Sequence, residues 1–266
     1  MKYIKGLFFL FIGSLVLSLL GCSKGFNADI DYVGKPICVL NESYDSDDIT
    51  AIMVSYHKSG NSIVLKQSSD GKIHIKEFLN SNRSNLEAAK TDFQNKTLTI
   101  SGTNSKFKHF SANSDYLEIM LPTDFVGRLK LQTTSGAVTA KYLYQINLTI
   151  ITTSGFVCID DLNGNVNFES TSGGITIAGG NFFGDFFTNS GSIDLKIDDL
   201  SGDISATTTS GSVNISVPNN ASFVYKMIST SGRTISEFGG TSGSLNGGNH
   251  NLSLSTDSGI VRLKKC

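Results

Sequence analysis

The tripeptide Thr-Ser-Gly, or a near variant, recurs through the second half of the chain, with its glycine at Gly136, Gly155, Gly173, Gly191, Gly211, Gly232 and Gly259. The steps between these glycines are 19, 18, 18, 20, 21 and 27 residues. A repeat of this length makes one small supersecondary unit. Such a unit cannot bury its apolar face alone, so neighbouring units must stack into one continuous core.

Around each glycine the pattern has period two. Leu148 and Ile150, Val166 and Phe168, and Ile204 and Ala206 stand seven and five residues before their glycines. Val157 and Ile159, Ile175 and Ile177, and Val213 and Ile215 stand two and four after. Alternation of this kind predicts strands with one buried face. The sixth repeat breaks it with Thr234 and Ser236. Each repeat therefore reads as strand, glycine corner, strand, and the glycine is expected to supply a positive φ. The same parity turns inward the hydroxyl residues three before each glycine: Thr133, Thr152, Ser170, Thr188, Thr208, Ser229 and Thr256. It also turns inward the serine just before each glycine. Coils stacked about 4.8 Å apart would let neighbouring corners satisfy this structural ladder. The predicted fold is all-β. It is a β-solenoid, parallel-β-helix-like, of about seven Thr-Ser-Gly coils, or a pair of sheets with solenoid-like stacking.

Two basic residues, Lys2 and Lys5, precede an apolar run from Gly6 to Leu20 and the sequence Leu19-Leu20-Gly21-Cys22. The run is short for a transmembrane span and reads as an export signal. Its end resembles the bacterial lipoprotein signal, in which the cysteine is lipidated and becomes the first residue. The expectation is a signal peptide over 1–21 and a lipid (palmitate-type) anchor on Cys22. That places the chain on the exported side of a cell membrane or outer membrane. Loss of Lys2 and Lys5 leaves 20 basic and 23 acidic residues, a net charge of about −3, which is no footprint for nucleic acid. Three cysteines would remain, an odd number that cannot all pair internally. Neither CxxC nor metal-ligand spacing occurs, so no cofactor is expected.

A tether is expected over 22–34 and a β region over 35–122. The repeat array follows over 123–266, continuous with that region. Strands in the first region are predicted around Ile37 to Val39, Ile49 to Val54, Ile63 to Leu65, Ile73 to Ile75, Leu98 to Ile100 and Tyr116 to Leu121. A helical turn is expected only over Ser84 to Phe93. The first region is expected to cap the stack, and Arg262, Lys264 and Lys265 to protect its last strand as a charged edge.

These features together resemble the bacterial "putative adhesin" family of β-strand-repeat envelope proteins. The likeness rests on Asp48-Ile49-Thr50, Ser69-Asp70-Gly71-Lys72-Ile73, Leu98-Thr99-Ile100-Ser101-Gly102, Leu121-Pro122 and the Thr-Ser-Gly array. It implies a displayed binding domain and supplies no catalytic residues.

Outward positions are the candidate sites. Four residues before the glycine stand Gln132, Ile151, Glu169, Phe187, Thr207, Ile228 and Ser255. Ile151, Phe187 and Ile228, with Phe156 beside them, form a candidate apolar binding surface, unless another part of the chain covers them. Asp160-Asp161 and Asp198-Asp199 occupy equivalent turns and could meet calcium, but Gly179-Gly180 interrupts them. The long last interval, Glu237 to His250, is a binding loop or an end-coil insertion. Three function classes follow. The first is an envelope lipoprotein that binds glycan, cell-wall polymer or protein. The second is an accessory or sensor lipoprotein of an envelope-stress system. The third is a polysaccharide-degrading β-solenoid enzyme, which would need clustered acids on an outward face.

Overall fold

The computed structural model describes residues 36–58, 60–80, 87–102 and 115–266. The signal segment, Cys22 and the 22–34 tether lie outside them. The chain is all-β. Its first part holds β1 (Pro36–Asp45), β2 (Ala51–Tyr56), β3 (Ser62–Ser68), β4 (Lys72–Asn80), β5 (Lys90–Gln94), β6 (Thr97–Gly102) and β7 (Tyr116–Pro122). The array begins with β8 (Arg128–Thr133), β9 (Val138–Thr152), β10 (Val157–Ser170), β11 (Ile175–Ile177), β12 (Gly180–Thr188), β13 (Ile193–Lys196) and β14 (Ile204–Thr208). It ends with β15 (Val213–Val217), β16 (Phe223–Ser229), β17 (Arg233–Ser236), β18 (Ser242–Leu245), β19 (His250–Thr256) and β20 (Ile260–Lys265). Lys90–Gln94 is a strand where the sequence suggested a helical turn, because it pairs antiparallel with β6.

The corners separate two ladders. Strands that lead into the corner glycines, with their end strands, run in the spatial order β5, β6, β2, β8, β9, β10, β12, β14, β19, β16, β18. Those that leave the corners run β1, β4, β7, β3, β9, β10, β11, β13, β15, β20, β17. β9 and β10 are long enough to belong to both. Every internal pairing is parallel; only the end strands β1, β4, β5 and β18 pair antiparallel. Ten spacings of about 4.8 Å give a rod of about 50 Å.

The apolar residues of the two-residue alternation line the space between the ladders. Val138, Val157, Ile175, Ile193, Val213 and Val261 follow one another in register and are buried. Each such side chain contributes roughly 1.5–3 kcal/mol by leaving water.

Stacking order departs from chain order near both ends. The coil of β2 and β3 lies inside that of β6 and β7, which comes later in the chain. At the other end β19 inserts between β14 and β16, and β20 between β15 and β17. The sixth repeat is therefore the outermost coil. This accounts for its broken pattern, since Thr234 and Ser236 sit where only one neighbour contributes to the core. It also accounts for the long last interval. That segment carries β18 antiparallel along β16 and closes the end with Phe238, edge-on to Phe223 at 5.4 Å between ring centres. Arg262, Lys264 and Lys265 consequently do not guard an edge. β20 is an interior strand, and the ladder ends at β17.

The corner glycines also differ from expectation. None of the seven has a positive φ. They form one column in the order Gly136, Gly155, Gly173, Gly191, Gly211, Gly259, Gly232, each pressed against the carbonyl oxygen of the coil beside it. A Cβ on Gly155, Gly173 or Gly191 would stand 2.2, 2.0 or 2.2 Å from that oxygen. Close approach, rather than turn conformation, demands glycine here. The serine before each glycine is exposed, not inward, because the chain turns outward for two residues before the glycine returns it to the column.

Six of the seven hydroxyl residues three before the corner glycines bond to backbone. Thr188 Oγ1 donates to Gly173 O (2.9 Å) and accepts from its own corner's Gly191 N–H (3.2 Å). Thr208 and Thr256 donate to Gly191 O and Gly211 O (3.0 Å each), and Ser229 to Gly259 O (2.9 Å). Thr152 and Ser170 accept from Gly155 and Gly173 N–H. Thr133, next to the first corner, has a buried hydroxyl with no such partner among the described residues.

Candidate functional site

On the outward face of the first ladder the strand register sets one row: Gln132, Ile151, Glu169, Phe187, Thr207, Ser255, Ile228. Phe187 is 42 % exposed and Ile228 46 %, while Ile151 is half-buried. Glu169 separates Ile151 from Phe187, and two hydroxyl residues bonded to each other, Thr207 and Ser255, separate Phe187 from Ile228. Phe156 is exposed too, but it lies past the corner at the start of the second ladder, against Gly174. The four apolar candidates are thus spread over two faces and do not form one patch.

The second ladder carries a polar row that the changed stacking order creates. Asn214 donates to Asp194 Oδ1 (2.5 Å), and Arg262 Nη1 donates to Asn214 Oδ1 (2.9 Å). Chain order would have put Ile235 beside Asn214. Burial raises the Asp194 pKa above the ordinary carboxylate value, against the opposing pull of Asn214 and Arg262.

The acidic turns do not converge. Asp198 Oδ2 accepts the Gly180 N–H (2.8 Å), and its other oxygen lies 3.3 Å from Lys196 Nζ. Asp161 accepts from Tyr144 OH (3.3 Å). Gly179 leaves room for the Asp198 carboxylate, which a Cβ there would meet at 2.6 Å. Among the described residues no group of three or more His, Cys, Asp or Glu could hold a metal ion. No helix among them is long and apolar enough to cross a membrane.

A buried polar network near the first end was not singled out from the sequence. Glu77 on β4 is fully buried and accepts from Lys58 Nζ (2.6 Å), Tyr56 OH (2.7 Å) and Ala89 N–H (2.6 Å). Lys58 also donates to Glu87 O (2.7 Å), and Asn61 Nδ2 to Tyr56 OH (3.2 Å). Burial, then the Glu77 charge, drives the Tyr56 phenol far above its usual pKa, so it serves as a donor and not as an acid. The signal was present in the parity: Glu77 follows Ile73 and Ile75, and Lys58 follows Val54 and Tyr56, on inward positions. The three donors to Glu77 come from β2, from the residues after it and from the segment before β5, so the network ties β4 to these elements.

At the same end, Ser43, Tyr44, Asp45, Asp48, Ile49 and Phe93 line a half-open groove of about 220 Å³. Tyr44 donates to Glu42, which also accepts from Thr91 Oγ1, so the cap strands β1 and β5 are tied across it.

The profile of the Toastrack DUF4097 family matches residues 49–182 and 125–264. The chain belongs to this family. It is similar in fold to a crystal structure described as a putative adhesin from Bacteroides fragilis. That likeness has 16% identity and a TM-score of 0.54, over 85% of this chain and 96% of that one. A second structure described as a putative adhesin, from Parabacteroides merdae, has 14% identity and a TM-score of 0.50, over 84% of this chain and 95% of that one. At such identities the likeness is one of fold. No curated protein matches the chain.

Proposed function

We propose that this Toastrack protein is an exported lipoprotein, anchored through Cys22. Its β-solenoid of about seven Thr-Ser-Gly coils acts as a rigid binding rod for a glycan, a cell-wall polymer or an envelope protein. The observation that carries this reading is the parallel register from coil to coil through the array, with a bulge where β9 meets β10 between Leu162 and Gly164, which sets outward side chains at regular spacing on two faces. The names given to the two similar structures favour adhesion. Binding is preferred to catalysis because the outward residues three after each glycine include one acid, Asp194, already bonded to Asn214. The sensor reading shares the anchor and differs only in having a single protein partner. The lipoprotein signal supports the exported side of a cell membrane or outer membrane, and the acidic balance disfavours nucleic acid.

The test is a pull-down with the whole chain in detergent, offered purified cell-wall sacculi and then solubilised envelope proteins. Saturable binding to sacculi, weakened by Phe187→Asp, is the expected result. Capture of one protein with no sacculus binding would replace it with the sensor reading.

A further inference from the structure

We propose that β17, the open end of the second ladder, is a homophilic docking strand that pairs antiparallel with β17 of a second copy about a two-fold axis through Ile235. Among the described residues β17 pairs on one side only, with β20. Its Arg233 N–H donates to Gly259 O and the following Glu237 N–H to Leu263 O, both toward β20. Backbone groups alternate along a strand, so those of Thr234 and Ser236 face the open side. In an antiparallel pairing centred on Ile235, Thr234 of each copy meets Ser236 of the other as a hydrogen-bonded pair. Four N–H···O bonds form with no frame shift.

The side chains select the same register. Arg233, Ile235 and Glu237 alternate onto the exposed face, with Ile235 36% exposed. Centred on Ile235, each Arg233 lies opposite the Glu237 of the other copy, and Ile235 lies opposite itself. Both ion pairs fall at non-hydrogen-bonded positions, where facing side chains are closest. Glu237 Oε2 accepts the Lys265 N–H (2.9 Å) on the β20 side, so the Arg233 of a second copy would be met by the other carboxylate oxygen. A segment whose backbone pattern and charge pattern are both self-complementary about one residue is what a two-fold contact requires. Edge strands of this kind bind by strand addition. The pairing joins two rods end to end. With the anchor of the proposed function, on which this one consequence rests, the Cys22 ends would sit on opposed membranes.

Sedimentation of the full chain in detergent tests the pairing. The expected result is a concentration-dependent monomer–dimer equilibrium. Arg233→Glu and Glu237→Arg should each weaken self-association about tenfold, by setting like charges opposite each other. An equimolar mixture of the two variants should pair again, because each then offers the charge that the other needs. That recovery also shows that both variants are folded. A monomer at every concentration, dimers indifferent to either reversal, or a mixture that stays monomeric would each overturn the proposal. Phosphatidylcholine vesicles carrying the lipidated chain supply the second arm. Clustering that either reversal abolishes supports pairing between opposed membranes. Pairing in solution without clustering would overturn the pairing between opposed membranes and leave the docking strand standing.

Discussion

Gly173→Ala tests why the corner column is glycine. The new methyl would lie 2.0 Å from Gly155 O and 2.9 Å from Ser170 Oγ. Relief requires the two coils to part by at least about 1 Å, against a ladder spacing of about 4.8 Å. Overpacking of one carbon costs about 1–3 kcal/mol. The shift also strains the Gly173 N–H bond to Ser170 and the Thr188 bond to Gly173 O, each worth about 1 kcal/mol. The expected loss is about 3–5 kcal/mol, which should lower the urea midpoint by roughly 1–2 M. Gly71 is the control: its φ is +72° and nothing lies within 4 Å of a Cβ there. Gly71→Ala should cost about 1 kcal/mol, and Gly71→Asn less, because asparagine tolerates that conformation. At Gly173, asparagine should be as damaging as alanine or worse. Gly173→Asn more stable than Gly173→Ala in urea unfolding would refute the close-approach argument and restore the turn-conformation one.

Glu77→Ala should destabilise by about 3–5 kcal/mol, because it strands buried Lys58 without its carboxylate; thermal unfolding against the parent chain reads this out. Asp194 has a folded pKa raised by burial, so the folded state holds its proton more tightly than the unfolded one. Its contribution is gained as pH falls through the folded pKa and lost as pH rises through it. Asp194→Asn should therefore melt higher than the parent at neutral pH, with the two curves converging in acid. Phe187→Asp, on an exposed face, should change stability by less than about 1 kcal/mol by urea unfolding. A larger loss would mean that Phe187 is packed and not displayed.

Inside and outside were readable from the alternation because strand parity is a local property: Val157, Ile159, Val166 and Phe168 all face inward. The order of the coils was not, since several coils with the same inward pattern can neighbour one another. What decides it is nonlocal. Val213 and Ile215 sit beside Val261 and Leu263, not beside polar Thr234 and Ser236. Asp203 accepts the Asn251 N–H (2.8 Å), tying the turn before β14 to β19. The break at Thr234 and Ser236 was visible as a fault in the repeat, and it marks the outermost coil. Glycine at the corners was visible, but its reason lay in the neighbouring coil. Alternation places Ile151, Phe187, Ile228 and Phe156 all on the outside, but it carries neither the coil order nor the change of ladder at the corner, and these separate them.

The place of β20 has a mechanical consequence. The last strand of the chain is clasped between β15 and β17, so a pull on Cys266 cannot strip away one layer at a time. It must break the pairings of β20 with β15 and with β17 together. A cut within the turn before β19 would free the filling of the stack while its outer leaf, β16 and β17, remained attached to the chain above. Loss of β20 therefore opens two strand pairings at once, where loss of β17 opens one.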